Sequence, residues 1–343
     1  MRMLGEDLAI DLGCSTTRVH VRGRDVTSSE PSLVAVLRVG REAGRVVAAG
    51  AEAAGLVGRT GDDIAVVPPI RGGAIADLEC VDAMLRLRLP RASGLGRVRR
   101  PRIAVAVPRD LTNVERRAVE ESVLRAGARE VVLVPKLLAA ARGLELPQDR
   151  GPAHAILDLG TGTTEVGIVA GTHVVAARTT RVGALVLNDA LRDFVRRKLN
   201  LLIGDPTAEA IKRRLGSARP SDSGESMEVC GRDLISGTPK TLRIGAEEVR
   251  EALEGPVAAI VGLVRACLED TPPELASDLR DRGLVMVGGG ALLHGLDERL
   301  REETGLVVVC AEDPTRVVAR GAAAFLAPGA ARLGSGLTSL DAR

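Results

Sequence analysis

Asp11-Leu12-Gly13-Cys14-Ser15-Thr16-Thr17-Arg18-Val19 and Asp158-Leu159-Gly160-Thr161-Gly162-Thr163-Thr164-Glu165-Val166 are one nine-residue phrase written twice, with six positions identical. Each copy follows a short apolar run, Leu8 to Ile10 or Ala155 to Leu157, and leads into another. The pattern predicts a strand, a tight turn of small residues and a second strand, once in each half of the chain. Small residues let the backbone come close to a ligand. Successive N–H groups in such a turn form an anion-binding hollow, and the Ser and Thr hydroxyls add donors. An Asp at the strand end suits a hydrated Mg²⁺, which takes one or two carboxylates plus water and phosphate oxygens. A lone D-x-G-x-x-T is an ordinary turn. Two of them facing each other would clamp a polyphosphate from both sides, with closure following nucleotide state.

A third element joins the repeat. Gly288-Gly289-Gly290 lies between the apolar run Leu284 to Val287 and a helix expected from Ala291. Its bare backbone can approach a flat group, or the helix N-terminus can face a phosphate. Working outward, Ile103 to Val107 and Val131 to Val134 read as further strands. Between them Thr112 opens a helix, with Glu115 completing a capping box and Gly127 stopping it. Val114, Ala118, Val123 and Leu124 would be its apolar stripe. An Ala-rich helix follows from Leu137 to Arg142, then a linker at Leu146 to Pro152. In the second half, Val174 to Val182 reads as a strand, and Ala184 to Lys198 and Ala246 to Leu268 as helices. This alternation of strands and helices argues an α/β fold.

Composition narrows the function classes. At 343 residues the chain suggests two domains. The formal net charge is +2, so no global field recruits nucleic acid. There is no Trp or Tyr and only Phe194 and Phe325, which leaves no aromatic platform for stacking bases. No nucleic-acid partner is expected. The five cysteines are scattered without C-x-x-C spacing, and the four histidines show no metal-ligand spacing. The first residues lack a signal-peptide core, and no apolar run is long enough to span a bilayer. The expected location is cytoplasmic, with any membrane contact peripheral.

The repeat and the glycine triplet resemble the two phosphate segments and the adenosine segment of the actin, Hsp70 and sugar-kinase superfamily. The resemblance narrows to the MreB family through Arg117-Ala118-Val119, Ala126-Gly127-Ala128-Arg129-Glu130, Asn200-Leu201-Leu202-Ile203-Gly204, Gly231-Arg232-Asp233-Leu234 and Thr271-Pro272-Pro273-Glu274-Leu275, and it covers residues 6 to 327. It implies an actin-like, duplicated ribonuclease H-like fold. Domain I would be 1–146, with a small subdomain near 33–74, and would be completed by a helix near 314–328. Domain II would be 147–313, with a small subdomain near 183–244, and 329–343 would be a disordered tail. The resemblance further implies ATP or ADP with Mg²⁺. Asp11 and Asp158 would lie near the metal and its waters. Gly13, Cys14, Ser15, Thr16 and Thr17 would hold phosphates, as would Gly160, Thr161, Gly162, Thr163 and Thr164. Glu209 and Lys212 would face ribose and base, and Gly288, Gly289 and Gly290 would close over the adenosine. Filaments of this chain, or co-assembly with an MreB paralogue, and contact with the cell-wall synthesis machinery are implied as well.

The sequence departs from that family at three places. The family carries a Glu-Glu-Pro segment whose carboxylate positions the water that attacks the γ-phosphate. Here the segment reads Val134-Pro135-Lys136, so position 136 is a lysine. Orienting water needs an acceptor, and an ammonium only donates. Hydrolysis is therefore expected to be weak or lost. Leu185 replaces an acidic position after Gly183. The loop at 89–102 is basic rather than apolar, and Arg97, Arg99 and Arg100 are candidates for an anionic membrane surface at ~1 kcal/mol each. The rival readings are a non-polymerising or co-polymerising degenerate paralogue, a small-molecule kinase and an Hsp70-like ATPase. Against the last two, there is no substrate-domain insertion, no clear catalytic base and no substrate-binding domain.

Overall fold

The computed structural model describes residues 7–24, 27–40, 44–93, 100–147, 151–220 and 224–327. Two compact units divide the chain, with boundaries at Gly151/Pro152 and Pro314/Thr315. The loop carrying Arg97 and Arg99, and the tail beyond 327, lie outside the described residues.

The first unit is built on a five-stranded sheet in the order Glu130–Pro135, Arg102–Val107, Leu8–Leu12, Thr16–Val21, Thr27–Pro31. Leu8–Leu12 pairs antiparallel with Thr16–Val21 and parallel with Arg102–Val107. All five residues of Leu8–Leu12 are buried, as a strand covered on both faces requires. Its core joins Leu8, Ile10, Val105, Met84, Leu85 and Val123. A small antiparallel sheet of Val46–Ala49, Val34–Leu37 and Ile64–Val67 is attached.

The second unit repeats the plan. Its sheet runs His173–Thr180, Thr164–Ala170, His154–Leu159, Leu284–Val287, Val308–Cys310. His154–Leu159 pairs antiparallel with Thr164–Ala170 and parallel with Leu284–Val287. In both units the repeat's Asp sits in the same register of the hairpin: Asp11 opposite Arg18, Asp158 opposite Glu165. The long helix Ala246–Glu269 packs Val249, Leu253, Ile260 and Val264 into this core. The small sheet here is Leu201–Leu202, Ser226–Asp233 and Pro239–Gly245.

The capping box at Thr112 forms as the sequence predicts: Glu115 N–H donates to Thr112 Oγ1 and Thr112 N–H to Glu115 Oε2. The apolar stripe differs. Val114 is 78% exposed and Leu124 is also exposed, while Val119, Ser122 and Val123 are buried. Spacings of three and four residues from Val119 define the inward face, and Val114 falls outside that arc. The helix expected from Ala291 also differs. Gly289–Leu292 is a single 3₁₀ turn, and the α-helix begins at Leu296. Gly288 and Gly295 at positive φ break the chain there.

Two helices of the first unit cross at backbone distance. A Cβ on Gly321 of Val317–Ala324 would overlap the Ala139 carbonyl and the Gly143 amide. A Cβ on Gly143 of Lys136–Gly143 would overlap the Val317 carbonyl. This contact fixes the helix beginning at Lys136 to Val317–Ala324, which packs in turn on the strand Leu8–Leu12.

Candidate functional site

In the first unit the repeat forms a hairpin whose turn admits no side chain at its first glycine. A Cβ on Gly13 would lie 2.6 Å from the Thr16 carbonyl oxygen. Ser32 locks the turn from behind: its Oγ donates to the Gly13 carbonyl at 2.7 Å, and its N–H donates to the Ser15 carbonyl at 2.9 Å. Thr17 is fully buried and shares a 2.8 Å hydrogen bond with the Ser32 hydroxyl. The residues that line the turn are therefore Gly13, Ser15 and Thr16, with Thr17 supporting it from inside. Cys14 is buried and its Sγ accepts from the Gly73 N–H at 3.2 Å. Burial pushes its thiol above the usual range, against the pull of that hydrogen bond and of the Lys136 charge, so it stays neutral.

Asp11 and Lys136 meet in this unit. Asp11 and Val134 both register with Ala106 of the strand between theirs. They lie at the same end of the sheet, about 10 Å apart at ~4.8 Å per strand. The lysine stem spans that gap and brings Nζ to 3.3 Å from Asp11 Oδ1. Arg18, opposite Asp11 in the hairpin, places a guanidinium nitrogen 3.7 Å from Oδ2. Both Asp11 and Lys136 are 7% exposed. Lys136 is also the first residue of its helix, where the backbone dipole disfavours a cation. The Asp11 carboxylate offsets that local conflict.

In the second unit the same turn is built differently from behind. A Cβ on Gly160 would lie 2.9 Å from the Thr163 carbonyl, and the Gly160 N–H donates to that oxygen at 2.9 Å. The start of the helix Ala184–Leu199 docks on the turn, with Ala184 N–H on the Gly160 carbonyl at 3.1 Å and Leu185 N–H on that of Thr161 at 2.9 Å. Thr164 is fully buried and its hydroxyl donates to the Val182 carbonyl at 2.6 Å. Like Thr17 it supports the turn, while Gly160, Thr161 and Gly162 remain partly exposed.

The glycine triplet packs on the same strand end. A Cβ on Gly288, whose φ is +85°, would lie 2.5 Å from the Leu159 carbonyl oxygen and 2.7 Å from Asp158 Oδ1. A Cβ on Gly290 would overlap the Leu159 side chain, whereas Gly289 faces open space. Two of the three glycines thus serve close packing, and Gly289 is the one left bare for a ligand. Glu209 and Lys212 join the group through the docked helix: Lys212 Nζ donates to the Ala184 carbonyl at 3.2 Å and to Glu209 Oε2 at 2.7 Å. Asn188 donates to the same Glu209 oxygen and Arg213 to the other. Burial would raise the Glu209 carboxyl, but the hydrogen bonds from Lys212 and Asn188, then the Lys212 charge and Arg213, bring it down to about 2. Residues of the second unit that the sequence scatters between Asp158 and Gly290 are therefore one connected group. Asn188 and Ser32 were not singled out in the sequence. A polar residue on a helix or after a strand carries no signal until its partner is in place.

In each unit the bare turn, supported from behind, fits a phosphate group, and in the first unit the buried Lys136 ammonium lies beside Asp11. A metal fits less evenly. Asp11 already carries two cationic partners, whereas Asp158 faces another acid, Glu165, across its hairpin. No cluster of three or more metal-ligating side chains occurs among the described residues, and no helix among them is long and apolar enough to cross a membrane.

The family model for MreB/Mbl protein matches residues 5–331. The cell shape-determining protein MreB of Escherichia coli K12 is 43% identical over 321 residues, covering 93% of this chain and 92% of its own. Mbl of Bacillus subtilis 168 is 36% identical over 326 residues, 94% and 96% of the two chains. Among solved structures, MreB5 of Spiroplasma citri bound to ADP superposes with a TM-score of 0.87 at 30% identity, over 97% of this chain and 98% of that one. A MamK double helical filament, at 21% identity and a TM-score of 0.79, shares the fold. By sequence over nearly its whole length and by its duplicated actin-like fold, the chain belongs to the MreB/Mbl family.

Proposed function

We propose that this protein is a nucleotide-binding, filament-forming cytoskeletal protein of cell-shape control that hydrolyses ATP slowly or not at all. The observation that carries the second half is Lys136, buried and ion-paired with Asp11 where the family's water-positioning carboxylate is expected. A lysine in that setting offers only N–H donors, and Asp11 beside it lies within ion-pair distance of two cations. The lysine therefore cannot orient an attacking water as a carboxylate at that position would.

Nucleotide binding is supported by the bare turns at Gly13 and Gly160, by Gly289 facing open space, and by the ADP and AMPPNP complexes of the Spiroplasma relative. In this reading Ser15, Thr16, Thr161 and Gly162 hold phosphates. Glu209 and Lys212 face the ribose and base, and any Mg²⁺ is held through water by Asp158. When bound, that metal would neutralise phosphate charge. The chain's own residues orient the phosphates through backbone N–H groups and keep the turns rigid through Ser32, Thr17 and Thr164.

Pelleting of purified protein with ATP, with ADP and without nucleotide tests the filament half. Nucleotide-dependent sedimentation is expected, and protein that stays in the supernatant throughout refutes it in favour of a non-polymerising regulator. Phosphate release tests the other half. The wild type is expected to release little, and Lys136→Glu to release more; turnover by the wild type equal to that of the Escherichia coli relative refutes the hydrolysis reading. Arg97, Arg99 and Arg100 are proposed to meet an anionic membrane. Reversal of all three to Glu should abolish binding to vesicles containing phosphatidylglycerol, and unchanged binding removes that role.

A further inference from the structure

We propose that Ser32 is a positioning residue for nucleotide phosphates: its hydroxyl holds the peptide unit between Gly13 and Cys14 so that the Cys14 N–H is aimed at a phosphoryl group. The inference rests on the nucleotide-binding reading above and names the side chain that sets the direction of one donor in it.

Ser32 follows the strand Thr27–Pro31 and is fully buried. Its place is fixed on both sides. Pro31 before it pairs with Thr16, and the Leu33 carbonyl after it accepts from the Gly50 N–H at 2.9 Å. The Ser32 hydroxyl has a single proton, and it is directed at the Gly13 carbonyl at 2.7 Å. In the 2.8 Å contact with Thr17 the Thr17 hydroxyl is therefore the donor. The result is a directed chain, Thr17 to Ser32 to Gly13, whose two hydroxyls lie in the core, where hydrogen bonds polarise and strengthen one another. A peptide unit is planar and trans, so its N–H points opposite to its C=O. With the Gly13 carbonyl held on Ser32, the Cys14 N–H faces away from Ser32. Among the described residues that amide meets no acceptor but its own sulfur, which already accepts from the Gly73 N–H at 3.2 Å. Amides turned outward in this way are the units from which an anion hollow is built. The Ser32 N–H also holds the Ser15 carbonyl, but that bond is made by the backbone and does not depend on the side chain. The hydroxyl thus governs the one peptide unit. The second turn is held otherwise, since its Gly160 carbonyl accepts from the Ala184 N–H. Removing the Ser32 hydroxyl should loosen the first turn and leave the second as it is.

The test combines isothermal titration of ADP into the full-length wild type and Ser32→Ala with hydrogen exchange, read by mass spectrometry on peptides covering 13–17 and 160–164. In the wild type, ADP is expected to protect both segments. Ser32→Ala should bind ADP about tenfold more weakly, the worth of one hydrogen bond. At saturating ADP it should lose protection at 13–17 and keep it at 160–164. A variant that binds and protects as the wild type does overturns the inference and leaves the nucleotide reading standing. Equal loss of protection at both segments also overturns it, because a hydroxyl that merely supports the fold would act on both. No binding of ADP by the wild type removes the inference and the nucleotide reading together. Circular dichroism confirms that Ser32→Ala folds. If it does not, the wild type decides: exchange at 13–17 that ADP leaves unchanged, while 160–164 becomes protected, refutes the outward direction of the Cys14 amide.

Discussion

Replacing glycine by alanine inside a helix should have opposite signs at two places in this protein. At Gly262, in the helix Ala246–Glu269, an added Cβ meets no heavy atom within 4 Å. Only the backbone entropy changes, and Gly262→Ala should stabilise by about 1 kcal/mol. At Gly321 the same methyl falls on the Ala139 carbonyl and the Gly143 amide of the helix it crosses. Both are backbone atoms, so no rotamer change relieves the overlap and the helices must part. Overpacking costs about 1 to 3 kcal/mol, and a clash with rigid backbone belongs at the upper end. Subtracting the helix-propensity gain of about 1 kcal/mol leaves Gly321→Ala destabilised by about 2 kcal/mol. The two variants should differ by about 3 kcal/mol. Urea unfolding followed by far-ultraviolet circular dichroism reads this as midpoints displaced in opposite directions from wild type. A Gly321→Ala protein as stable as wild type would refute the close crossing of Lys136–Gly143 and Val317–Ala324, and with it the account of how Lys136 is held.

Three further tests address the other elements. Thr112→Ala removes the capping box and should cost about 1 kcal/mol in urea unfolding; an unchanged midpoint would show the cap is not formed in solution. On the same helix, Val123→Ala should cost about 2 kcal/mol, since Val123 is fully buried, and Val114→Ser should stay within about 0.5 kcal/mol; the reverse ranking would return the inward face to Val114. Glu209 titrates at about 2 when folded, below its ordinary value, so the unfolded chain binds its proton first. Its stabilising contribution is complete above the unfolded pKa of about 4.5 and disappears as pH falls to about 2. Glu209→Gln should therefore flatten the rise of stability with pH across that window, and a slope identical to wild type would contradict the Lys212 and Asn188 hydrogen bonds.

The fold was legible because it is written twice. The Asp-Leu-Gly phrase fixes a strand end and a turn, and the residues on either side alternate as strands must. Capping residues were legible for the same reason: Thr112 with Glu115 acts within four positions. Periodicity was less reliable where a helix is only partly covered. Val114 and Leu124 are apolar at plausible spacing, yet the inward arc is set by what packs on the helix, and Ser122 is buried there while Val114 is exposed. The region after Gly290 misled for a different reason. Ala291 and Leu292 have helix propensity, but the positive φ of Gly295 postpones the helix to Leu296.

Site chemistry was legible as residue types and hidden as partnerships. Thr17 and Thr164 read as phosphate donors, and both spend their hydroxyls on internal acceptors, because a turn this tight needs its own support before it can hold anything else. Glu209 and Lys212 were assigned to the site only through the family resemblance, and they become half-buried because Ala184 and Asn188 sit over them. Lys136 is the sharpest case. Its identity alone says that an acceptor has been lost. Its length, and the shared register of Asp11 and Val134 with Ala106, say where the new charge goes. A shorter cation at position 136 would leave Asp11 to Arg18 alone and the helix start without compensation. The same substitution that removes the means of orienting water therefore also puts an ammonium 3.3 Å from Asp11, where a carboxylate is expected. Lys136→Glu should therefore raise phosphate release, and release no greater than that of the wild type would refute the placing of the lost carboxylate at position 136.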